Sequence, residues 1–463
     1  MKKQVLQLLL FVSFAPTAYS QWSQDTLRSE RLHLSAVTFG DKVYFIGGEK
    51  GNYLDYEFSE VAVYNCITSA WESSTALSSA RSNTTCASGD SGIYVLGGRN
   101  LDWTRTNGFA RNFNASNRVD IFKNGAWTID SIPHHVWGGE ALKVGSKILF
   151  AGFVDSINYL TSEIYASNKV YIFDESTGLW SMDSLSSART ELGAATDGSI
   201  AIFAGGVNGL GITSDVVDIY NGVNNSWTTA TLSVARGYVG GGYSNGKFYF
   251  AGGVLSGIVN QSSDVVDVYD GSAWTTTHLS APRAGVMVAA VNDYVYFMGG
   301  GQVDLSLLML PNGGGTSKVV DVLNSTSGDW SQLDFFSAHM YGGHTTWGNQ
   351  IFVGGGGKQL WQQSNQLYIY TRVVEIRDVT LGLSELNGGV SFEVYPNPST
   401  GPFILLLPEA RAEISVKDIV GQEVMNIQSM DRTTELQLER NGIYFVTVKT
   451  KHGTATRKII VGS

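Results

Sequence analysis

Short apolar runs rich in β-branched and aromatic residues recur along most of the chain. Residues 263–301 show the unit: a strand-like run at 265–269, a turn at Asp270-Gly271, then Trp274, then a second apolar run that ends at Gly299-Gly300. Runs of this length bounded by turn residues are typical of antiparallel strands in hairpins. The pattern therefore predicts an all-β chain made of many short strands.

The unit repeats at a period near 50 residues. Apolar runs end in a glycine pair, degraded once, at Gly47-Gly48, Gly97-Gly98, Gly152-Phe153, Gly205-Gly206, Gly252-Gly253, Gly299-Gly300 and Gly354-Gly355. A tryptophan follows the next strand-like run in six copies, at Trp71, Trp127, Trp180, Trp227, Trp274 and Trp330. Such a period predicts a repeat architecture in which each unit packs on its neighbours.

The seventh tryptophan stands at the front of the chain. Trp22 precedes Gly47 by the same spacing as Trp274 precedes Gly299, and the seventh strand-like run, 365–370, has no Trp after it. If each unit is a four-stranded blade, a first strand that completes the last blade closes the ring without exposed edges. We therefore predict seven blades, with six as the alternative count.

The unit resembles the kelch repeat over residues 22–371. The matching features are the Gly-Gly after an aromatic strand, the Tyr or Phe that ends the third strand, the Trp after it and the Arg that opens the next unit. The resemblance implies a β-propeller whose first strands line a central channel. Small residues such as Gly193 and Gly240 fall in those first strands, where large side chains would collide, and the repeated Trp is expected to pack between blades.

Composition narrows the functional classes. The net charge is −10, only 16% of residues are charged and no Lys/Arg cluster occurs, which argues against nucleic acid as a partner. Residues 1–20 have a basic start, an apolar segment and a small-residue site before Gln21, so they predict a secretory signal peptide. No other apolar run is long enough to cross a bilayer. Sequence leaves open whether Cys66 and Cys86 are bonded.

Loops that join the second and third strands of a blade emerge on the same face as the connections between blades, and binding residues are expected there. These loops are predicted at 49–58, 99–116, 153–167, 207–214, 254–263, 301–317 and 356–364. Their aromatic residues suit stacking on sugars or contact with a protein, and the alternative is that they pack on each other. They include Tyr53, Tyr56, Trp103, Phe109, Phe113, Tyr159, Tyr165 and Trp361.

A basic residue opens the first strand of each unit and is expected to ring the channel mouth. The positions are Arg31, Arg81, His134-His135, Arg189, Arg236, Arg283 and His339. In the kelch domains of ubiquitin-ligase adaptors, arginines at this position contact acidic ligands, so the resemblance implies an anion-binding pocket. The alternative is that each Arg pairs with an acid or carbonyl of a neighbouring blade.

An enzymatic interpretation uses the same ring. Some secreted bacterial kelch propellers that resemble this chain isomerise sialic acids, which requires an acid and a base near an anion-binding Arg; those enzymes have six blades. Arg189 and Glu191 are two apart on a predicted strand and share a face, and Glu140 and His339 are further candidates. Copper-radical oxidases are another kelch class, but the scattered His residues predict no metal site and no cofactor.

The last 74 residues form a separate unit. Residues 372–389 are predicted as a linker, and 390–463 as a small β-sandwich. It resembles the type A C-terminal sorting domain of the type IX secretion system. The matching residues are Tyr395, Pro396, Asn397, Pro398, Gly401, Asp418 to Gly421, Asn441 to Phe445 with Gly442, and Lys458 to Val461. An adhesive or carbohydrate-binding sandwich is the alternative.

The sequence thus predicts a monomeric kelch propeller, residues 21–371, secreted or held on the outer-membrane surface of a Gram-negative bacterium. It is expected to bind an extracellular glycan or protein through its long-loop face and to contact the type IX machinery through its tail. The alternative is a carbohydrate-active enzyme of the epimerase or oxidase type.

Overall fold

The structure is a computed structural model that describes residues 22–50, 56–101, 113–158, 163–256, 261–302, 315–362, 365–379, 392–395, 399, 401–407, 410–418, 422–438, 440–450 and 453–462. Within these ranges the chain is all-β and has no α-helix, as the strand-like runs predict. The predicted signal peptide, 1–20, lies outside the described residues.

The first half of the repeated region contains strands β1 to β19. Their bounds are β1 Trp22–Thr26, β2 Ser35–Phe39, β3 Lys42–Ile46, β4 Glu49–Lys50, β5 Tyr56–Glu57, β6 Glu60–Asn65, β7 Ala70–Trp71, β8 Thr75–Ala76, β9 Thr85–Ser88, β10 Gly92–Leu96, β11 Arg99–Leu101, β12 Phe113–Lys123, β13 Ala126–Val136, β14 Glu140–Val144, β15 Lys147–Ala151, β16 Val154–Asn158, β17 Glu163–Ala166, β18 Lys169–Asp174 and β19 Leu179–Ser184.

The second half contains β20 to β38. Their bounds are β20 Gly193–Thr196, β21 Ile200–Ala204, β22 Val216–Asn221, β23 Ser226–Thr231, β24 Gly240–Ser244, β25 Lys247–Ala251, β26 Val254–Leu255, β27 Gln261–Ser262, β28 Val265–Tyr269, β29 Trp274–His278, β30 Met287–Val291, β31 Tyr294–Met298, β32 Val319–Asn324, β33 Trp330–Asp334, β34 Gly343–Trp347, β35 Gln350–Gly354, β36 Gly357–Gln362, β37 Asn365–Tyr370 and β38 Val373–Asp378.

Seven antiparallel sheets recur in the described part of this region, each with an inner, second, third and outer strand. We number them in chain order as sheets 1 to 7: β2-β3-β6-β7, β9-β10-β12-β13, β14-β15-β18-β19, β20-β21-β22-β23, β24-β25-β28-β29, β30-β31-β32-β33 and β34-β35-β38-β1. Four of the connections between second and third strands are themselves paired, as β4-β5, β16-β17, β26-β27 and β36-β37.

The inner strands lie side by side in a cycle. Each contacts the inner strand of the next sheet, and the inner strand of sheet 7 contacts that of sheet 1. Close approach at the axis explains the small residues there, since a Cβ added to Gly240 would lie 2.2 Å from the Val286 carbonyl oxygen. The arrangement is propeller-like.

The first strand of the chain completes sheet 7. β1 pairs antiparallel with β38, with Trp22 opposite Arg377 and Thr26 opposite Val373, so the first strand completes the last sheet as predicted. The predicted third strand of this unit is wrong. Residues 365–370 pair with β36 in a hairpin, and β38 takes the third position against β35. The repeated region therefore extends beyond 371, and 373–378 is not a linker.

A tryptophan of each outer strand packs against the neighbouring sheet. The clusters between consecutive sheets contain Trp71 (sheets 7 and 1), Trp127 (1 and 2), Trp180 (2 and 3), Trp227 (3 and 4), Trp274 (4 and 5), Trp330 (5 and 6) and Trp22 (6 and 7). The expected packing role of the repeated Trp is thus confirmed.

The tail forms two further sheets. Its strands are β39 Glu393–Tyr395, β40 Phe403–Leu406, β41 Ala412–Asp418, β42 Glu423–Ser429, β43 Thr433–Leu436, β44 Gly442–Thr450 and β45 Gly453–Val461. The sheet orders are β39-β40-β43 and β42-β41-β44-β45, and a separate apolar core that includes Phe403, Ile414 and Val446 lies within this unit. Pro396, Asn397, Pro398 and Gly421 lie outside the described residues.

Candidate functional site at the channel mouth

The five predicted arginines are interior residues. Each is at most 1% exposed and forms an ion pair with an acid on or beside the third strand of its own sheet. The pairs are Arg31–Glu60, Arg81–Asp120, Arg189–Asp218, Arg236–Asp267 and Arg283–Asp321. This placement matches the pairing alternative, except that the acid belongs to the same sheet rather than to a neighbour. It leaves no guanidinium face for a ligand.

The Arg236 site shows what each pair holds together. Nη1 donates to the carbonyl oxygens of Gly252 at 2.7 Å and Val265 at 2.6 Å, and Nη2 donates to Asp267. The other oxygen of Asp267 accepts from the Ser233 amide at 2.9 Å. Burial lowers the pKa of Arg236, and the charge of Asp267 opposes that shift. The pair therefore joins the glycine turn, the third strand and the incoming connection.

Sheets 3 and 7 use other groups at this position. His339 is fully buried, with Nδ1 donating to the Gly355 carbonyl at 2.8 Å and Nε2 3.2 Å from Glu375. In sheet 3 the position belongs to Val136, whose carbonyl accepts from Gly98 as the arginine carbonyls do elsewhere. The prediction that His134-His135 occupies it is wrong by one to two residues, because the strand register places Val136 there.

Two residues beyond each of these positions the backbone turns left-handed. The seven residues, which we call the mouth ring, are His33, Asn83, Gly138, Glu191, Tyr238, Gly285 and Tyr341, with φ between 50° and 67°. Backbone hydrogen bonds join the members in two runs, from Tyr341 through His33 and Asn83 to Gly138 and from Glu191 through Tyr238 to Gly285; the His33 amide donates to the Tyr341 carbonyl at 2.9 Å between sheets 1 and 7. Five are not glycine, although bulky side chains rarely adopt this conformation.

The mouth ring borders two cavities on the axis, of about 180 Å³ and 450 Å³. The smaller is lined by His33, Asn83, Glu191 and Tyr341 of the ring together with Glu140 of β14. The larger is lined by residues of all seven inner strands. Strained residues that converge on a cavity are a common mark of a functional site.

At one side of the mouth ring, hydrogen bonds and an ion pair link several polar and charged side chains to Glu49. His33 Nδ1 is 2.7 Å from Glu49 Oε1, and Ser82 donates to Glu49 Oε2 at 2.6 Å. Arg99 lies 3.4 Å from the same carboxylate and 4.7 Å above the Trp137 ring. Burial raises the pKa of Glu49, but the hydrogen bond and charge of His33, with Arg99 and Ser82, outweigh it and lower that pKa to about 2.

Glu140 and Glu191 face the cavity without a hydrogen-bond partner among the described residues. Desolvation by the surrounding sheets raises the pKa of Glu140 to about 7, and the charge of Glu191 adds to that shift. Desolvation also raises the pKa of Glu191, against the nearby charges of His33 and Arg99. Both carboxyl groups of the site therefore have pKa values raised above that of an ordinary glutamate.

The predicted site residues do not converge as one group. Glu191 and Glu140 share a cavity, whereas Arg189 and His339 are held in ion pairs of separate sheets. His135 is exposed and lines a cleft between sheets 2 and 3. Trp103 lies outside the described residues, and so does the side chain of Trp361 in β36.

Sequence reasoning missed His33, Glu49, Arg99, Trp137, Tyr238 and Tyr341. No sequence signal singled out the ring members, since the position two residues after the repeated Arg differs from unit to unit and so do the positions on either side of it. Cys66 and Cys86 are free thiols, and burial raises their pKa values to about 11 and about 12. Among the described residues, no group of three or more His, Cys, Asp or Glu is placed to hold a metal ion.

Three comparisons place the chain among known proteins. Residues 393–462 match the family of secretion system C-terminal sorting domains. The solved structure of YjhT is similar over 67% of this chain and 99% of its own, with 15% sequence identity and a TM-score of 0.49. No curated protein matches the chain.

The sorting-domain match supports the predicted tail and the predicted destination. Such a domain marks proteins that the type IX system secretes to the cell surface or the extracellular space, and it implies contact with that machinery. In the part of the chain that the structure describes, no helix has the length and apolar content needed to cross a membrane.

Proposed function

We propose that residues 22–379 form a seven-bladed kelch-type propeller that binds an extracellular glycan at its channel mouth after type IX export. The observation that carries the proposal is the mouth ring. Five non-glycine residues there adopt left-handed conformations, at a cost on the order of 1 kcal/mol or more each, and they border one axial opening. A packing role alone would be served by glycine, as at Gly138 and Gly285.

The blade count rests on two independent patterns. Seven sheets of one topology occur in the described ranges, and seven clusters between sheets each contain one outer-strand tryptophan. The cluster that contains Trp22 joins sheet 7 to sheet 6, and the one that contains Trp71 joins sheet 1 to sheet 7. A ring of seven accounts for both patterns.

The mouth chemistry favours a neutral polyhydroxylated ligand over an anion or a protein segment. The arginines are turned inward, while Glu191, Glu140 and the amide of Asn83 border the cavity. Carboxylates and amides supply the acceptors and donors that sugar hydroxyls require, and the tyrosines of the ring supply apolar faces. The 450 Å³ cavity lies in the size range of small-ligand sites.

Replacing Glu191 by Gln is expected to weaken glycan binding roughly 10- to 100-fold. A hydrogen bond to a charged group contributes about 1.5–3 kcal/mol, and among the described residues the Glu191 side chain makes no hydrogen bond that would replace the one to the ligand. The mature chain would first be screened on a glycan array, and the bound glycan then titrated by calorimetry with wild type and Glu191→Gln.

The matched control is Asp264→Asn, an exposed acid that pairs with His278 at 3.4 Å outside the mouth. Its affinity should equal that of wild type. Capture of an extracellular protein without any glycan binding would favour the protein-binding alternative. Equal affinity of wild type and Glu191→Gln would contradict the mouth as the site.

A second candidate is proton-transfer catalysis on a carbohydrate. It is favoured by the pair of cavity carboxyls, because an acid whose pKa is about 7 can donate a proton near neutral pH and a neighbouring carboxylate can accept one. It does not use Arg189 or His339.

In that case activity should fall as the pH rises through about 7, because Glu140 loses its proton there, and it should also fall at low pH, because the neighbouring carboxylate that accepts the proton becomes protonated. Glu140→Gln should abolish turnover and retain binding. NMR exchange between anomers or epimers of the bound sugar measures the rate, and absence of exchange at every pH would exclude this candidate while leaving the binding proposal intact.

A further inference from the structure

A polar cleft of about 590 Å³ opens between sheets 2 and 3, beside the channel mouth. Its walls come from β11, β12 and β16 and from the end of β13. The side chains that matter here are Asn100, Asn114, Asn117, His135, Trp137 and Asp155. None of the ion-paired acids of the buried arginine sites lines it.

Several polar groups in the cleft are available to a ligand. Asn100 and Asn114 are exposed and directly opposite in the β11-β12 ladder, and among the described residues neither side chain makes a hydrogen bond. Asp155 Oδ2 accepts from Lys169 at 2.9 Å, but its Oδ1 is buried without a partner. The Asp155 side chain as a whole is 32% exposed, so a ligand hydroxyl in the cleft can donate to its carboxylate.

His135 adds an acceptor to the same wall. Its Nδ1 is 2.9 Å from the carbonyl oxygen of Ala115, to which it donates, so the neutral ring keeps Nε2 as an acceptor. The cleft therefore combines two exposed amides, an imidazole nitrogen and a partly exposed carboxylate. Mixed donors and acceptors of this kind suit hydroxyl groups better than they suit a single ionic group.

Trp137 connects the cleft to the mouth. It lines the cleft and also a neighbouring cavity of about 390 Å³ that reaches Glu191 and Tyr238 of the mouth ring. The Arg99 guanidinium, 4.7 Å above the Trp137 ring, fixes the indole from the side of the Glu49 network. Trp137 therefore lies between the cleft wall at Asn114 and the mouth-ring residue Glu191.

We infer that the ligand is an extended, uncharged oligosaccharide, with one sugar unit in the channel mouth and further units crossing Trp137 into the cleft between sheets 2 and 3. This inference rests on the proposed function, since it extends the mouth site. A linear chain fits because Trp137 lines both the cleft and the cavity that reaches Glu191 and Tyr238. An uncharged chain fits because the carboxylate of the cleft, Asp155, already pairs with Lys169, and sugar hydroxyls can both accept from Arg118 and bind the asparagine amides.

Calorimetric titration of the mature chain with cello-, chito-, manno- and xylo-oligosaccharides of one to six units tests the inference. In the series that binds, affinity should rise at least tenfold from the monosaccharide to the tetrasaccharide. The double variant Asn100→Ala/Asn114→Ala should lose that gain and keep the monosaccharide affinity. Glu191→Gln should weaken every length.

Thr275→Ala/Thr276→Ala, two exposed residues of β29, is the matched control and should keep the full length dependence. Thermal denaturation should give the same midpoint for all variants. Equal affinity for every length, or a gain that survives in the asparagine variant, would overturn the cleft site while the mouth proposal stands. If no sugar of any length binds, the proposed function itself fails.

Discussion

Replacing Asp267 by Ala should lower the free energy of unfolding by about 3–5 kcal/mol. Removal of one partner leaves the Arg236 guanidinium, which is fully buried, without its counter-charge. It also removes the acceptor of the Ser233 amide. The loss is larger than that of a typical single substitution.

Sheet 3 has an apolar pair at the positions that the buried ion pair occupies in sheet 5. In sheet 3 the positions of Arg and Asp hold Val136 and Tyr171, both buried in one apolar cluster with Phe153. Replacing a buried ion pair by apolar residues of similar volume is often neutral. The double variant Arg236→Val/Asp267→Tyr should therefore recover more than half of the stability that Asp267→Ala loses.

Chemical denaturation monitored by tryptophan fluorescence measures both variants. Asp264→Ala is the control, because Asp264 is an exposed acid next to the same strand and its loss should change the free energy of unfolding by less than about 1 kcal/mol. If Asp267→Ala is as stable as wild type, the buried pair does not hold the sheet together and the arginine would have to be assigned another role.

The repeat architecture was predictable because it depends on many short, redundant signals. The glycine pairs show why: Gly47 has φ of 60°, and a Cβ there would lie 2.5 Å from the Arg81 carbonyl oxygen of the next sheet. Only glycine satisfies both conditions, so the pair survives in nearly every unit. Because the same backbone geometry requires glycine in each unit, the repeat can be recognised from the sequence alone.

The role of the arginines was not predictable in the same way. A sequence shows that an Arg and an acid recur in most units, but their separation varies from 29 to 39 residues, and it does not show that both side chains point into the same interior space. The third-strand error in sheet 7 has a related cause, because 365–370 and 373–378 both alternate like strands. Glu375 distinguishes the two runs, because an acid that pairs with the residue opening the unit marks the third strand in five of the other sheets. His339 contacts Glu375 at 3.2 Å.

The mouth-ring residues could not be found by comparing the repeats, because their side chains differ from unit to unit. His33, Asn83, Glu191, Tyr238 and Tyr341 share one backbone conformation but no side-chain chemistry. Repeat comparison finds what is constant, and specificity at the mouth depends on what varies. Glu49 and Arg99 also come from different units and meet only because sheets 1 and 2 are neighbours on the ring.

Replacing Trp22 by Ala should destabilise the ring by about 3–5 kcal/mol, the usual cost of removing a large buried aromatic side chain. Trp22 is 4% exposed and packs on Phe335, with 4.6 Å between ring centroids, inside the cluster that joins sheets 6 and 7. It also lies on the strand that closes the ring, so the defect weakens the pairing of β1 with β38.

The control is Trp274→Ala in sheet 5, which removes an equivalent but more exposed tryptophan that stacks on Tyr269 at 4.8 Å. The loss of stability in this control should be smaller, and the protein should remain monomeric.

Deletion of residues 21–26 should destabilise the protein more than either substitution, because it leaves β38 as an unpaired edge strand that promotes association. Denaturation curves and size-exclusion chromatography measure both effects. A deletion variant that stays monomeric and as stable as wild type would show that the ring does not need its first strand, since an open sheet 7 would then cost nothing.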